Sequence, residues 1–496
     1  MSRRKHKAPR SVRPSSRAAA QRSQPETKPV IPAVAPAPAP SPAPDCYRDS
    51  LPVRHRHAAG IDVGSRSHWV AAYGGDGTID VEQFDTYTDN LFALAAWLRA
   101  RNVTTVAMEA TGIYGESLFD LLEAEGFEVL LVNPAYTSQI KGRPKTDRLD
   151  CQWIQRLHAH GLLPASFRPQ ADVAVLRTYL RQRAELVRAG ARHIQHLQKA
   201  LELMNIKLTE VVSDVAGLTG LKIIRAILAG ERDPLTLAQL RDCRCQNSTD
   251  TFARALHGTW RDEHLLTLGQ ALASWQHYQG QQRELEEVIA KHLHGMKKTT
   301  QLPPLPPLPR VRSRSANEPR FDVRTALYYV TGVDLTALDG IKAVTALVVI
   351  SEIGLDMSRF PTVKHFCSWL GLCPRVKKSG VRVLSSRTRK GKGRAARALC
   401  QAARSLWRCK TPMGSFLRRL KARLGAPEAT TATAHKLARQ LYQTLKSGQL
   451  PTKETAAEYE ARQRQHAVAA LQKKALRLGL RVLTSGETIE TETAPP

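Results

Sequence analysis

Residues 57–87, HAAGIDVGSRSHWVAAYGGDGTIDVEQFDTY, decide the fold. HAAGIDVGS reads as a buried strand closed by a Gly-Ser turn. HWVAAYGGDG (68–77) reads as a second strand ending in a Gly-rich hairpin turn, and IDVEQFDTY (79–87) alternates like a third. Further along, TDNLFALAAWLRARN (88–102) opens with a capping Thr or Asp and carries helical apolar spacing. TTVAMEAT (104–111) is a short apolar strand. GESLFDLLEAEG (115–126) is an amphipathic helix stopped by Gly126, and FEVLLVNP (127–134) is a strand stopped by Pro134. TDRLDCQWIQRLHAHG (146–161) again has helical spacing, with a cap at Thr146.

Hairpins first and crossover units later make the mixed-sheet α/β order of an RNase H-like domain, here residues 57–165. That domain carries acids in unusual places. Asp62 stands mid-strand in AGIDVGS, and Glu109 is the one acid of the strand VAMEAT. A buried, unpaired carboxylate is costly, so each needs a cation, a donor network or a function. Asp147 and Asp150 are spaced i, i+3 on the last helix and share a face, about 5–6 Å apart. Two strands and a helix can bring these four acids to one point. Hard divalent cations such as Mg²⁺ relieve their repulsion, because carboxylate oxygen is the preferred ligand. Two such ions about 3.5–4 Å apart can hold both the attacking and the leaving oxygen of a phosphodiester. Taken singly, Asp147 also suits a helix N-terminal turn, and Asp150 also suits an exposed surface.

Charge points the same way. Lys and Arg number 74 against 44 Asp and Glu, a net charge of +30 over 496 residues, with a pI near 10.2. Such an excess suits a polyanionic partner, because each cation placed on a phosphate releases a condensed counterion. Nucleic acid is the partner expected first. A hydrophobic fraction of 42% fits a globular chain. No apolar run of about 18 residues exists, so no membrane span is expected. The first residues, MSRRKHKAPR, lead into Ser, Pro and Ala and are not read as a secretory signal. The 8 cysteines include no CxxC pair, which excludes a zinc ribbon, argues against a disulfide framework and suits a reducing cytoplasm.

Residues 1–56, with PAVAPAPAPSPAPD at 32–45, read as a disordered basic tail, either a solubilising extension or a non-specific nucleic-acid contact. Residues 166–300 read as a helical arm. VAVLRTYLRQRAELVRAGARHIQHLQKALELMNI (173–206) sustains an apolar stripe with Arg and His opposite, and a second long helix runs from about His264 to His294. Such a pair is a coiled-coil arm or interdomain bridge, with or without an oligomer or nucleic-acid contact, or part of a plain bundle. A Pro-rich linker covers 301–322, including QLPPLPPLPRVRSRSANEP (301–319). A mainly helical domain follows at 323–450. Its LDGIKAVTALVVISEIG (338–354) resembles a helix-hairpin-helix, which presents backbone N–H groups to phosphate. Residues 451–496 are read as helical and then disordered.

The segment GLCPRVKKSGVRVLSSRTRKGKGRAARALCQAARSLWR (371–408) is the second unusual stretch. Between Arg375 and Arg423 stand 17 Lys and Arg and no Asp or Glu. Such a run repels itself unless a polyanion lies against it. Ser379 precedes Gly380 after two lysines, and Ser385 and Ser386 follow in a second turn-like position. A serine hydroxyl needs a base or a metal to act as a nucleophile, and this segment supplies neither His nor carboxylate. The acid cluster of the first domain is the candidate activator. All three serines also suit hydrogen bonding to phosphate.

GIDVGSRSHWV, VAMEATGIYG, VNPAYTSQIKGRPKTDRLDCQWIQRL and GLCPRVKKSGVRVLSSRTRKGKGRAARAL, in this order, resemble the DEDD-type insertion-sequence transposases, from about residue 57 to 450. The resemblance implies a RuvC-like N-terminal domain and a C-terminal serine-bearing transposase domain. It implies Asp62, Glu109, Asp147 and Asp150 as ligands of Mg²⁺, two ions with Mn²⁺ as a substitute; a two-step strand exchange conserves phosphodiester energy, and with no GxxxxGK[ST] loop in the sequence no nucleotide cofactor is expected. It implies Ser379 as the nucleophile, although Gly380 directly follows it where S-x-G is commoner, so Ser385 and Ser386 stay as alternatives. Lys377, Lys378, Arg382, Arg387, Arg389, Lys390, Lys392 and Arg394 are expected on backbone phosphates. The resemblance further implies donor and target DNA and a structured bridge RNA as partners, with a tetramer, as a dimer of dimers, acting in a prokaryotic cytoplasm at the nucleoid. Two other readings use the same residues: a junction-resolving nuclease with water as nucleophile, and a non-catalytic nucleic-acid-binding protein.

Overall fold

The computed structural model describes residues 52–74, 78–109, 112–137, 146–297, 302–307, 317–389, 391, 393–452 and 454–480. The chain divides after Pro164 into two compact units. The first is built on β1 (Ala58–Val63), β2 (Ser67–Tyr73), β3 (Ile79–Asp85), α1 (Thr88–Ala100), β4 (Thr105–Glu109), α2 (Glu116–Ala124), β5 (Glu128–Val132), α3 (Pro134–Thr137) and α4 (Asp147–Ala159). The sheet order is β3-β2-β1-β4-β5. β1 and β3 run antiparallel to β2, whereas β4 and β5 run parallel to β1. This is the RNase H-like topology that the order of elements predicts.

The two faces of the sheet follow from alternation along the strands. Ala59, Ile61, Val63, Val106 and Met108 are buried in one core with Leu91, Leu94 and Leu98 of α1 and Leu118 and Leu122 of α2. Ala107 and Val132 face the other way, onto Ile154 of α4. Gly126, with φ +86°, ends α2 as expected. α1 starts differently from the reading. Its N-cap is Tyr87 without a side-chain bond, and Asp89 lies inside the first turn, where its charge meets the helix dipole. Residues 1–51 of the expected tail lie outside the described residues. Residues 54 and 55 are part of the fold: Arg54 and His55 donate their N–H groups to Ala159 O at 2.8 and 2.9 Å. They satisfy a carbonyl at the end of α4 that has no intrahelical partner.

The second unit contains α5 (Ala171–Leu203), α6 (Leu208–Val211), α7 (Leu218–Leu228), α8 (Pro234–Gln239), α9 (Thr249–Leu256), α10 (Asp262–Gly295), α11 (Val323–Thr331), α12 (Ala343–Ile353), α13 (Val363–Trp369), β6 (Lys377–Ser379), β7 (Arg382–Ser385), α14 (Arg394–Ser405), α15 (Pro412–Leu424), α16 (Ala426–Ser447) and α17 (Ala456–Arg477). α5 and α10 pair antiparallel, with Tyr179 against His292 and His193 stacked on Tyr278. One end of the pair buries Leu197, Leu201 and Leu268 with α6 to α9. The other buries Leu176, Ile289 and Leu293 in the core of the helices that follow.

Arg183 departs from the expected outward face of the arm. It is buried in the seam, where Nε donates to Glu286 Oε1 at 2.8 Å and Nη2 to Asn317 O at 2.9 Å. Gln282 Nε2 and Arg320 N complete the carboxylate's bonds, both at 2.9 Å. These bonds fasten the end of the Pro-rich segment to the arm. Residues 302–307 of that segment have no regular structure, and Tyr328 Oη and Arg324 Nη1 donate to Pro303 O and Pro306 O, both at 2.9 Å. Arg177 donates to Ser351 O and Glu352 O, carbonyls at the C-terminal end of α12, at 3.2 and 2.8 Å. α11 is followed by a short 3-10 turn (Leu335–Ala337), a left-handed Gly340 (φ +74°) and the apolar helix α12. β6 and β7 are an addition that the helical reading of this domain did not contain. Residues 481–496 lie outside the described residues.

Candidate active site

Ile61 is level with Met108 across the parallel β1–β4 pair. The next residue in each strand is an acid, Asp62 and Glu109, so both stand side by side at the C-terminal ends of their strands. Alternation turns them to the α4 face, with Gly60 and Ala107. α4 runs back across that face. Gln155 Nε2 donates to Ala58 O at 3.2 Å, and Thr105 Oγ1 meets His158 Nε2 at 2.9 Å. Opposite Gly60 the helix backbone is so close that a Cβ would stand 2.2 Å from Gln155 N and 2.5 Å from Cys151 O. Gln155 over Ala58 and Cys151 over Gly60 bring the first turn of α4, with Asp147 and Asp150, to the Asp62 end of β1.

Thr146 fixes that turn, accepting from Leu149 N at 3.3 Å. Electrostatics record the approach: burial, with the charges of Asp62 and Asp150 adding to it, pushes the Cys151 thiol up to about 12. Cys151 is fully buried, and its Sγ donates to Arg148 O at 3.1 Å. α3 closes the side of the site. Thr137 Oγ1 donates to Glu109 Oε1 at 3.5 Å, and Trp153 Nε1 of α4 donates to Thr137 O at 3.1 Å. Gly60, Thr137 and Trp153 carry no charge and were not singled out from sequence. Only the glycine left a signal, since a glycine inside a strand marks close backbone approach.

Asp62, Glu109 and Asp150 are half-buried and Asp147 is exposed. A set of four carboxylates offers oxygen donors only, which fits a hard divalent cation. Among the described residues no three His, Cys, Asp or Glu side chains stand close enough to hold a metal ion. The backbone thus gathers four acid positions at one end of the sheet, but their side chains do not form a preformed cage.

Ser379 lies in the second unit, at the end of β6. Lys377, Lys378 and Ser379 pair with Arg382–Ser385, and Gly380 (φ +56°) and Val381 form the tip. A glycine in the first central position suits a tight hairpin turn, which explains why Gly380 directly follows the serine. Arg375 N donates to Arg387 O at 3.0 Å, which lengthens the ribbon. Ser379, Lys377, Lys378, Arg382, Arg387 and Arg389 are exposed. Ser385 Oγ accepts from Arg387 N at 3.3 Å, so it serves the turn. Ser386 lines a cleft beside α16. Arg394 is half-buried and 3.9 Å from Glu185 of α5. Lys390 and Lys392 lie outside the described residues.

A DEDD-type transposase model matches residues 59–206, and a second, described as transposase IS116/IS110/IS902 family, matches residues 334–418. Both matches are to transposase families, one over the acid-bearing sheet domain and one over the serine ribbon. The first match covers all four acids. Among solved structures, T. thermophilus RuvC in complex with Holliday junction substrate is similar at 15% identity and a TM-score of 0.17, over 22% of this chain and 99% of that chain. No curated protein matches. Among the described residues, no helix is long and apolar enough to cross a membrane.

Proposed function

We propose that this chain is a transposase that cuts and rejoins DNA through a covalent phosphoserine, with Ser379 as nucleophile and Asp62, Glu109, Asp147 and Asp150 as the acid set. The observation that carries the reading is the joint one. Asp62 and Glu109 sit at the ends of adjacent strands under α4, which carries Asp147 and Asp150, and the same chain holds an exposed serine on a cationic ribbon within a second transposase match. The acids would hold Mg²⁺, or Mn²⁺ in its place, which when bound polarises the scissile phosphate and eases loss of the serine proton.

Ser379 Oγ attacks phosphorus, its proton passing to a carboxylate or water. The P–O3′ bond breaks, and the 3′ oxygen takes a proton from water or the protonated carboxylate and leaves as a hydroxyl. A 3′-hydroxyl of another strand then attacks the phosphoserine, which restores the diester and the serine. Bond energy is conserved, so no nucleotide is consumed. Lys377, Lys378, Arg382, Arg387 and Arg389 hold backbone phosphates and position the strand without reading its sequence. Lys390, Lys392 and Arg394 are assigned the same role from the sequence. The reading gives sequence choice to a bridge RNA paired with donor and target DNA. It places the serine of one subunit at the acids of another within a tetramer. The family resemblance and the net charge of +30 support these partners.

The test uses full-length protein, its RNA and labelled element-end DNA. Ser379→Ala should lose both cleavage and the denaturant-resistant protein–DNA adduct, whereas Ser385→Ala and Ser386→Ala keep the adduct. Asp62→Ala should lose both activities while retaining DNA. Cleavage that persists in Ser379→Ala would make water the nucleophile and end the phosphoserine reading.

A further inference from the structure

A cleft of about 1320 Å³ lies within the second unit, between the segment that leaves the serine ribbon and the helices α15 and α16. Arg387 and Arg389 line it from one side and Lys436 and Arg439 of α16 from the other, against one acid, Glu428. Phe416 gives it an apolar wall, and Lys436 sits 4.7 Å over that ring. Gln440 also lines it, and its Oε1 is buried without a hydrogen-bond partner.

Four cations facing one acid across a cleft select an anion. The volume exceeds the roughly 300–1,000 Å³ that holds one small molecule, so the cleft has room for more than a single nucleotide. The cleft mixes charge with an aromatic wall and an amide. A duplex offers only its backbone to such a recess, whereas an unpaired strand also offers base faces and edges. We propose that this cleft binds an unpaired nucleic-acid strand, with its phosphates on Arg387, Arg389 and Arg439 and its bases against Phe416 and the Gln440 amide. The proposal rests on the nucleic-acid reading above and adds a site on α16 to it. The strand is either DNA opened beside the cut or a single-stranded part of the RNA partner.

The experiment measures fluorescence anisotropy of labelled oligonucleotides of about 12 nucleotides, within the site sizes of single-strand binders. DNA and RNA versions and a hairpin duplex of the same sequence are titrated with the full chain. Arg439→Glu should weaken single-strand binding roughly tenfold with little change for the duplex, and Arg439→Ala should lower the salt slope by about 0.7. Gln440→Leu, which keeps the charge, should weaken the strand without changing the slope. A loss confined to the DNA strand, or to the RNA strand, identifies the occupant. Variants that melt like the parent and bind every strand as it does would overturn the proposal, as would equal losses for strand and duplex. Ser379→Ala should keep full strand binding. A failure of the cleft and a failure of the phosphoserine chemistry are therefore read separately.

Discussion

Gly60→Ala tests how the acid site is held. The added Cβ would stand 2.2 Å from Gln155 N, 2.5 Å from Cys151 O and 2.7 Å from Gln155 Cα. Ordinary contacts lie near 3.5 Å, so α4 must withdraw by about 1 Å. All three clashing atoms are backbone, so no trimmed side chain on α4 can absorb the strain. The retreat moves Asp147 and Asp150 away from Asp62 and Glu109 by a similar distance. A 1 Å misplacement of reacting groups costs on the order of 10²-fold in rate, and overpacking costs about 1–3 kcal/mol. For a domain near 100 residues that stability loss lowers Tm by roughly 5–20 °C. Circular dichroism melting gives the second quantity, and adduct formation on element-end DNA gives the first. Protein that melts within about 1 °C of the parent and forms adduct within about threefold of its rate would refute this account of the α4 position.

Other outcomes follow from the same geometry. Glu286→Ala strands the buried Arg183 guanidinium and should cost about 3–5 kcal/mol in urea unfolding, while the double change Arg183→Met with Glu286→Leu should recover most of it; a loss below about 1 kcal/mol in the single variant contradicts the network. Burial, with the His55 charge adding to it, lowers the His158 pKa from 6.5 to about 4. The unfolded chain therefore takes up that proton first, and the fold loses up to about 3 kcal/mol as pH falls from 6.5 towards 4. His158→Gln should flatten this part of the stability profile, and an unchanged slope would exclude His158 as its source. Chelation of divalent cations should stop adduct formation but leave DNA retention intact in a gel shift, because the Lys and Arg contacts persist.

Some of this was legible before any coordinates. Asp62 and Glu109 betrayed themselves as acids inside apolar strands, and Thr146 as a cap, because local patterns report burial and helix starts. The polar seam at Arg183 was not legible: an Arg in a helical stripe reads as solvent-facing until its Glu286 partner, far along the chain, is known. The serine ribbon was also missed. Its strands are short, exposed and cationic, so they lack the apolar alternation that marks a strand.

The sequence by itself determined the order of strands and helices in the first domain, which acids stand inside apolar strands, and the excess of positive charge. These depend on residue type and near-neighbour spacing. Only the tertiary structure decided that α4 crosses β1 at Gly60, that Thr137 closes on Glu109 and that α16 faces Arg387 and Arg389 across a cleft. Those relations join residues far apart in the chain, and close packing, not local preference, fixes their distance and direction.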